Sequence, residues 1–444
     1  MKAGCQRVDI TPAVGTPIGG NVRSDNRSRF VHDPLFANIL YLRHENQELL
    51  FINCDLLALE RDWVHRLKER VLEFTGLPPE CQIVTATHTH SGPDVGSSMK
   101  DDYDPMVVRY LESFVEDVAR GACKAMEEAE DSTLWVGRSQ EDSIAFNRRV
   151  WLRDGSLHMN WEGLDPEQVT RTAGPIDPEV LVWQVRHRGG RVRCVLVNYT
   201  LHPAVLVGKD WAFSRDYIHD LNVYLQQQLG SDVVVLFVNG ALGNINHINV
   251  KNPNQTRGFE ETERIGRILG EAVMRALANA RVEYEPVLHT RMKVVSLPRR
   301  VISDEELAWA RDTWEACGGV IPSLLDGIPD EAYARELLAM ASKHKAYIAT
   351  DLQVVRVGDS LVFCLPGEFF VEFGLHLKHQ VQRQGLAKHT FVFGLANDCV
   401  GYVPTQEAFA QGGYEVRTCR HSQLAPEAGD IAVRALLNMA SSLR

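Results

Sequence analysis

Short apolar runs rich in β-branched residues alternate along this chain with longer segments whose apolar positions recur three and four residues apart. Such runs read as strands, and such segments as amphipathic helices. The first full set predicts a strand over 37–43, a turn at 45–47 and a strand over 48–54 ending at Asp55. A helix over 61–77 follows, with Val64, Leu67, Val71 and Phe74 on one face, and then a strand over 82–86 that runs into Thr87-His88-Thr89-His90. The same order returns as strands at 179–186 and 191–199 ending at Thr200-Leu201-His202-Pro203, a helix over 216–229, and a strand over 232–238 that delivers Asn239-Gly240-Ala241. It returns again as strands at 352–357 and 360–365 ending at Pro366-Gly367-Glu368, a helix over 370–383, and a strand over 389–395 leading to Gly401-Tyr402. The copies share an order and similar spacing rather than residues. Ligands of α/β sheets bind outside the carboxyl ends of strands, so three such units can bring their polar ends to one pocket. The expected fold is α/β, with mixed β-sheets and flanking helices, built from three β-hairpin–helix–strand modules converging on one site.

The remaining stretches are less regular. Residues 1–36 hold a strand and a Gly/Pro-rich loop, and 105–129 read as a helix with Val107, Leu111, Val115 and Val118 inward. Segments 303–317 and 330–345 read as two amphipathic helices, an insertion that forms a lid, a partner surface or ordinary packing. A final helix follows Tyr414-Glu415. No low-complexity linker interrupts the 444 residues, which predicts one catalytic domain over 1–444. An apolar fraction of 45% supports a full core. With 47 basic against 58 acidic residues, the net charge of −11 argues against a nucleic-acid partner. The start of the chain has no apolar leader, no run is long enough to span a bilayer, and nine scattered cysteines include no Cys-x-x-Cys. These features predict reduced core thiols, a cytoplasmic location and no stable membrane association. The sequence sets no oligomeric state, and a homo-oligomer is compatible with it.

The polar strand ends carry the chemistry. Residues two apart in a strand face the same side, so His88 and His90 can address one site. The other ends offer His202, Glu368 and the phenol of Tyr402. Two imidazoles and one carboxylate form a recurrent catalytic zinc set, in which the cation acidifies a water and polarises a carbonyl. Glu368 has a second reading, as a carboxylate complementing a helix N-terminus. His90 suits proton transfer or ligand orientation, while Arg148 and Tyr414 suit a substrate oxygen or an oxyanion.

Thr87-His88-Thr89-His90-Ser91-Gly92-Pro93 resembles the signature of the neutral/alkaline (non-lysosomal) ceramidase family. Further matching pieces follow in the family's order: Asn147-Arg148, Leu201-His202-Pro203, Asn239-Gly240-Ala241, Pro366-Gly367-Glu368-Phe369, Gly401-Tyr402 and Tyr414-Glu415. The resemblance implies one Zn²⁺ per chain on His88, His202, Glu368 and Tyr402, with His90, Arg148 and Tyr414 in the active site. It also implies hydrolysis of the amide bond of an N-acyl-sphingosine. Where the family carries Gly-Asp-Val-Ser-Pro, with a Ser implicated in the active site, this chain has Gly243-Asn244-Ile245-Asn246-His247. Asn246 thus stands in the place of that Ser and cannot act as a nucleophile. The family's C-terminal β domain and secretion signal have no counterpart, and the loop 94–103 is polar and acidic, a poor surface for extracting a lipid. The expectation is therefore a zinc-dependent hydrolase of a small soluble N-acyl or cyclic amide, with Arg148, Arg149, Arg215 and Arg417 available for a substrate carboxylate. The alternatives are a ceramidase proper, a zinc esterase or lactonase, a two-metal phosphoesterase using Asp55, and a non-catalytic binding relative.

Overall fold

The computed structural model describes residues 1–20, 26–95, 103–207, 210–284, 286–322, 328–342 and 345–443. Three hairpin–helix–strand units organise it. In the first, β2 (Phe36–His44) and β3 (Gln47–Cys54) pair antiparallel, α1 (Arg61–Thr75) crosses over, and β4 (Gln82–Ala86) returns parallel to β3, with Cys54 opposite Ala86. In the second, β6 (Glu179–His187) and β7 (Val192–Tyr199) are followed by α3 (Tyr217–Leu229) and by β8 (Val234–Asn239) parallel to β7. In the third, β10 (Tyr347–Val357) and β11 (Ser360–Cys364) are followed by α7 (Val371–Gln384) and by β12 (His389–Phe393) parallel to β11. Each helix is the crossover that two parallel neighbours require.

With β1 (Lys2–Asp9) and β5 (Glu130–Gln140), the first two units share a sheet in the order β8-β7-β6-β5-β1-β2-β3-β4; the short strand Arg281–Glu283 joins beside β5 as its ninth member. The third unit lies in a separate four-stranded sheet with β9 (Leu288–Pro298), ordered β9-β10-β11-β12. Inward faces of both sheets meet in a central core that includes Leu40, Phe51, Trp183, Leu236, Val362 and Phe391. Removing such large apolar side chains from water contributes about 1.5–3 kcal/mol each. The outer faces are covered separately. Helices α1 and α2 (Pro105–Glu127) cover the first unit, α3 and α4 (Phe259–Ala278) the second, and α7 and α8 (Ala428–Ser441) the third. Hence most strands are apolar on both faces, as sheets covered on both sides require.

The sequence reading does not identify α4. Its pattern is weakened by Gly266 and Gly270, which stand where a Cβ would meet Asp220 and the Tyr224 ring of α3 at 2.5 and 2.3 Å. Glycine is needed there for close helix packing, against its poor helix propensity. The pair α5 (Asp304–Ala316) and α6 (Asp330–Ser342) is present as expected, α5 beginning with a Ser303–Glu306 capping box. Most of the acidic loop 94–103 lies outside the described residues.

Buried asparagines tie the units together at their strand ends. Asn239, ending β8, donates from Nδ2 to the carbonyls of Leu201 and Thr87. Asn397, beyond β12, accepts from the Val84 N–H at 3.1 Å and donates to Gln353 Oε1 at 2.7 Å. Asn198 in β7 donates to Val238 and Val392 carbonyls and accepts from the Val392 N–H. Main-chain bonds join the same places, Gly394 N–H to Asn239 O and Ala86 N–H to Leu395 O. The carboxyl ends of β4, β8 and β12 therefore meet.

Candidate metal centre

Three imidazoles point their Nε2 atoms at one another where those strands end. His90 Nε2 lies 3.4 Å from His88 Nε2 and 3.2 Å from His202 Nε2. Backbone groups hold the opposite ring nitrogens: His88 Nδ1 donates to Leu57 O at 2.6 Å, and His202 Nδ1 faces Leu242 O at 3.4 Å. His90 is hydrogen-bonded to the backbone of Gly20. Gly20 has φ +85°, and a Cβ there would sit 2.6 Å from His90 Nδ1, so glycine is required twice over. With Nδ1 carrying the proton, each Nε2 presents a lone pair, and lone pairs facing each other at this range repel unless a cation lies between them. His88 has φ +73°, a left-handed conformation costly for a non-glycine residue, which turns its ring inward directly after β4.

Glu368 completes the group. Its Oε2 lies 3.3 Å from His88 Nε2 and 3.8 Å from His202 Nε2, is buried, and has no hydrogen-bond partner. Burial opposes its ionisation, but contact with His88 and the permanent charge of Arg148 more than offset this and hold the carboxyl below its ordinary range. Three imidazole lone pairs, with an orphaned carboxylate oxygen beside those of His88 and His202, form a donor set suited to a divalent cation. The edges also fit, since tetrahedral ligation at zinc-like bond lengths places donor nitrogens about 3.3–3.4 Å apart. Among the described residues, His88, His90 and His202 are the one group of His, Cys, Asp or Glu close enough to share an ion. His90 thus sits within the donor cluster. Tyr402 is placed on its Arg148 side, with its ring 5.3 Å from the guanidinium.

Arg148 is buried, and Glu415 holds its Nε at 2.8 Å. Its Nη2 is buried with no hydrogen-bond partner, and the residue lines the cavity. Burial raises the pKa values of Tyr402 and Tyr414 strongly, and the Arg148 charge only partly offsets this, so both phenols keep their protons. The two rings meet edge to face at 5.8 Å, and Trp161 packs edge-on against Tyr414. The cluster opens into a cavity of about 880 Å³, within the range of small-molecule sites.

No family model matches the chain, and no curated protein matches it in sequence. Solved structures do. The neutral ceramidase of Pseudomonas aeruginosa superposes with a TM-score of 0.76 at 19% identity, over 100% of this chain and 74% of that one. A ceramidase complexed with C2 superposes with a TM-score of 0.73 at 17% identity, over 100% of this chain and 75% of that one. The chain has the neutral ceramidase fold.

Within this neutral ceramidase fold, the arginines expected at the substrate are placed differently from one another. Arg148 lines the cavity, whereas Arg149, Arg215 and Arg417 do not. Arg149 is turned into the protein, bonded to Glu415 Oε2 and Gly412 O, both at 2.7 Å. Arg215 is buried against Asp33 at 3.2 Å and His219 at 2.8 Å. Arg417 pairs with Asp330 of α6 at 2.7 Å and lies 3.8 Å over the Tyr333 ring. Each is occupied by a protein carboxylate, so a carboxylate pocket of four arginines does not form. Asn246 lines the cavity, its amide paired with that of Asn160 at 2.8 and 2.7 Å. Asp55, which a two-metal phosphoesterase would need, is buried outside the cavity and accepts from the Phe36 N–H.

Sequence reasoning assigned no role to Glu415, His421, Trp161 or His247. Glu415 is fully buried between Arg148 and Arg149. The paired arginines at 148–149 signal such a counter-ion, although nothing in the spacing says which carboxylate supplies it. His421 lines the cavity and meets the Tyr402 ring edge-on and the Tyr414 ring at a tilt, reached only through the tertiary fold. Among the described residues, no helix is long and apolar enough to cross a membrane.

Proposed function

We propose that this chain is a metal-dependent hydrolase that cleaves the amide bond of a small N-acyl or cyclic amide. The observation that supports the reading most is the facing of three imidazole Nε2 atoms and an unpartnered carboxylate oxygen at the floor of a ligand-sized cavity. His88, His90, His202 and Glu368 would hold the cation, which we take to be one Zn²⁺ per chain. A bound divalent cation supplies Lewis acidity, polarising a carbonyl and acidifying a water. The chain's own groups supply the rest. Arg148, which lines the cavity, is a fixed, permanently charged group with one unpaired N–H end, suited to a carbonyl oxygen that gains negative charge. Glu415 fixes the direction of that donor, so little reorganisation is needed as charge develops. The protonated phenols of Tyr402 and Tyr414 can donate to the same oxygen. The likeness to two ceramidase structures supports an amide as the scissile group; the polar, acidic composition of the 94–103 stretch, a poor surface for extracting a lipid, supports a small soluble substrate.

The test joins elemental analysis to an amide panel running from ceramide to short N-acyl amines and lactams. The expected result is about one zinc per chain, lost together with turnover in the His88→Ala/His202→Ala double variant, and turnover confined to small amides. Wild-type protein without metal or turnover overturns the reading. His90→Ala should lose the metal; if it keeps metal and loses turnover, His90 carries a proton instead of ligating.

A further inference from the structure

The cavity wall beyond the cation donors holds a histidine whose ring has no hydrogen-bond partner among the described residues. His247 follows Asn246 and lines the cavity. Its Nδ1 is buried without a hydrogen-bond partner, and among the described residues none reaches its Nε2. The contrast with the floor is direct, since His88, His90 and His202 each have a backbone group on one ring nitrogen. Nδ1 is closed off from the cavity, so Nε2 is the ring atom left for a ligand.

The surroundings hold the ring in place without using it. The His247 carbonyl accepts from Gln255 Nε2 at 2.9 Å. Glu261, the acidic group that acts on the ring, is taken by Arg264 at 2.7 and 2.8 Å, by Gln255 at 2.6 Å and by Thr256. Burial pushes the imidazole down to about 4, so it is neutral near pH 7 and offers one donor and one acceptor. Asn246 adds another donor: one N–H of its amide goes to Asn160 Oδ1, and its Oδ1 is occupied by Asn160 and by the Ile248 N–H. Its second N–H is left over. Facing groups include the apolar Trp161, Leu164, Ile321 and Ile328.

We infer that His247, with Asn246, is a specificity-determining station that binds an uncharged oxygen, a hydroxyl or carbonyl, carried by the substrate beyond its scissile amide. This deepens the amide-hydrolase reading and rests on it for the substrate class. A purely alkyl chain would cover His247 Nε2 and the spare Asn246 N–H without pairing them, and a site that desolvates unpaired polar groups discriminates against such a ligand.

The experiment uses N-acyl amides of equal length, with a hydroxyl or keto group at successive acyl carbons or with none. Turnover is measured for wild type, His247→Leu and His247→Phe, and calorimetry follows binding of the corresponding product acids to the same proteins. Wild type should favour one oxygen-bearing member by roughly tenfold or more in both kcat/KM and product affinity. Both variants should bring that ratio close to one; the Phe variant keeps ring volume, so it serves if the Leu variant does not fold. A ratio that survives in both variants overturns the inference, as does an equal loss for oxygen-bearing and alkyl members. Selective product binding without turnover of any amide would sink the hydrolase reading and leave the station standing. Turnover without selectivity would do the reverse.

Discussion

The floor of the cavity is assembled from strand ends, whereas its walls come from connections between the units. At the floor, His88, His202 and Glu368 each follow a strand of a different unit, and the meeting of those units brings the side chains together. The walls are drawn from the 247–258 segment ahead of α4 and from the α5–α6 insertion, which supplies Ile321, Ile328 and Arg335. The floor is tied by buried amide-to-backbone bonds, while the insertion is tied by charged side-chain pairs, Arg417 with Asp330 at the surface and Arg420 with the buried Glu336. The difference teaches a division of labour: the sheets set the chemistry, and the connections set what reaches it. If so, floor variants should act on kcat and stability, and wall variants on KM and selectivity.

The largest single-residue effect outside the cation donors is expected at Arg148. Arg148→Met keeps the length of the side chain and removes the free donor at Nη2. A fixed donor to a developing oxyanion is worth about 10²–10³ in kcat, with KM little changed. Metal content should be unaltered, which separates the loss from damage to the centre. A change confined to KM would break the comparison, because Arg148 would then bind the ground state as a wall residue does.

Asn397→Ala comes next and tests whether the stitching at the floor holds the units together. Asn397 is buried with φ +65°, a conformation that Asn tolerates better than Ala, and the substitution strands the Val84 N–H and Gln353 Oε1. Two lost bonds and left-handed strain together cost about 2–4 kcal/mol, to be read from the urea midpoint. An unchanged midpoint would show that the main-chain bonds between the strand ends suffice.

Much of this division was legible in the sequence, and the reason is physical. Strand runs and helical periodicity reflect burial, so the three units and the polar residues at their ends could be read directly. The order Asp55, His202, Glu368 at the hairpin ends exposed three candidate places for chemistry, and the structure brings two of them to the cation cluster. Asp55 looks equivalent in sequence but is drawn into the protein by the Phe36 N–H. The arginines misled for a related reason: charge is visible in sequence, but the partner that neutralises it is not. Arg149 answers Glu415, which is 266 positions away. His247 was passed over because a single histidine in a polar loop has no periodicity to mark it, and only its unpaired nitrogens distinguish it.

A smaller effect follows from that histidine's burial. Its folded-state pKa of about 4 lies below the ordinary value near 6.5. Between those values the unfolded chain binds a proton there and the native chain does not, so stability falls as pH falls from about 6.5 toward 4. Measured on chelator-treated protein, which removes the metal-linked contribution, the melting temperature should drop across this window. The drop should be shallower in His247→Gln, which has nothing to titrate. Identical slopes would mean that the ring is hydrated in the native state and would weaken the case for a dry wall.

The smallest predicted effect separates wall from substrate contact most finely. Arg417 was expected at the substrate, but it reaches Asp330 and the Tyr333 ring of α6 instead. Both members of the ion pair are well exposed, so little stability rests on it. Its consequence is positional, because Ile328 and Arg335, which line the cavity, flank Asp330 in the chain. Arg417→Ala should raise KM about two- to threefold and leave kcat alone, and Asp330→Asn should do the same. Partners acting through one contact are not additive, so the double variant should look like either single one. If Arg417→Ala raises KM and Asp330→Asn does not, the guanidinium meets the substrate directly, and the walls would then contribute charge recognition as well as shape.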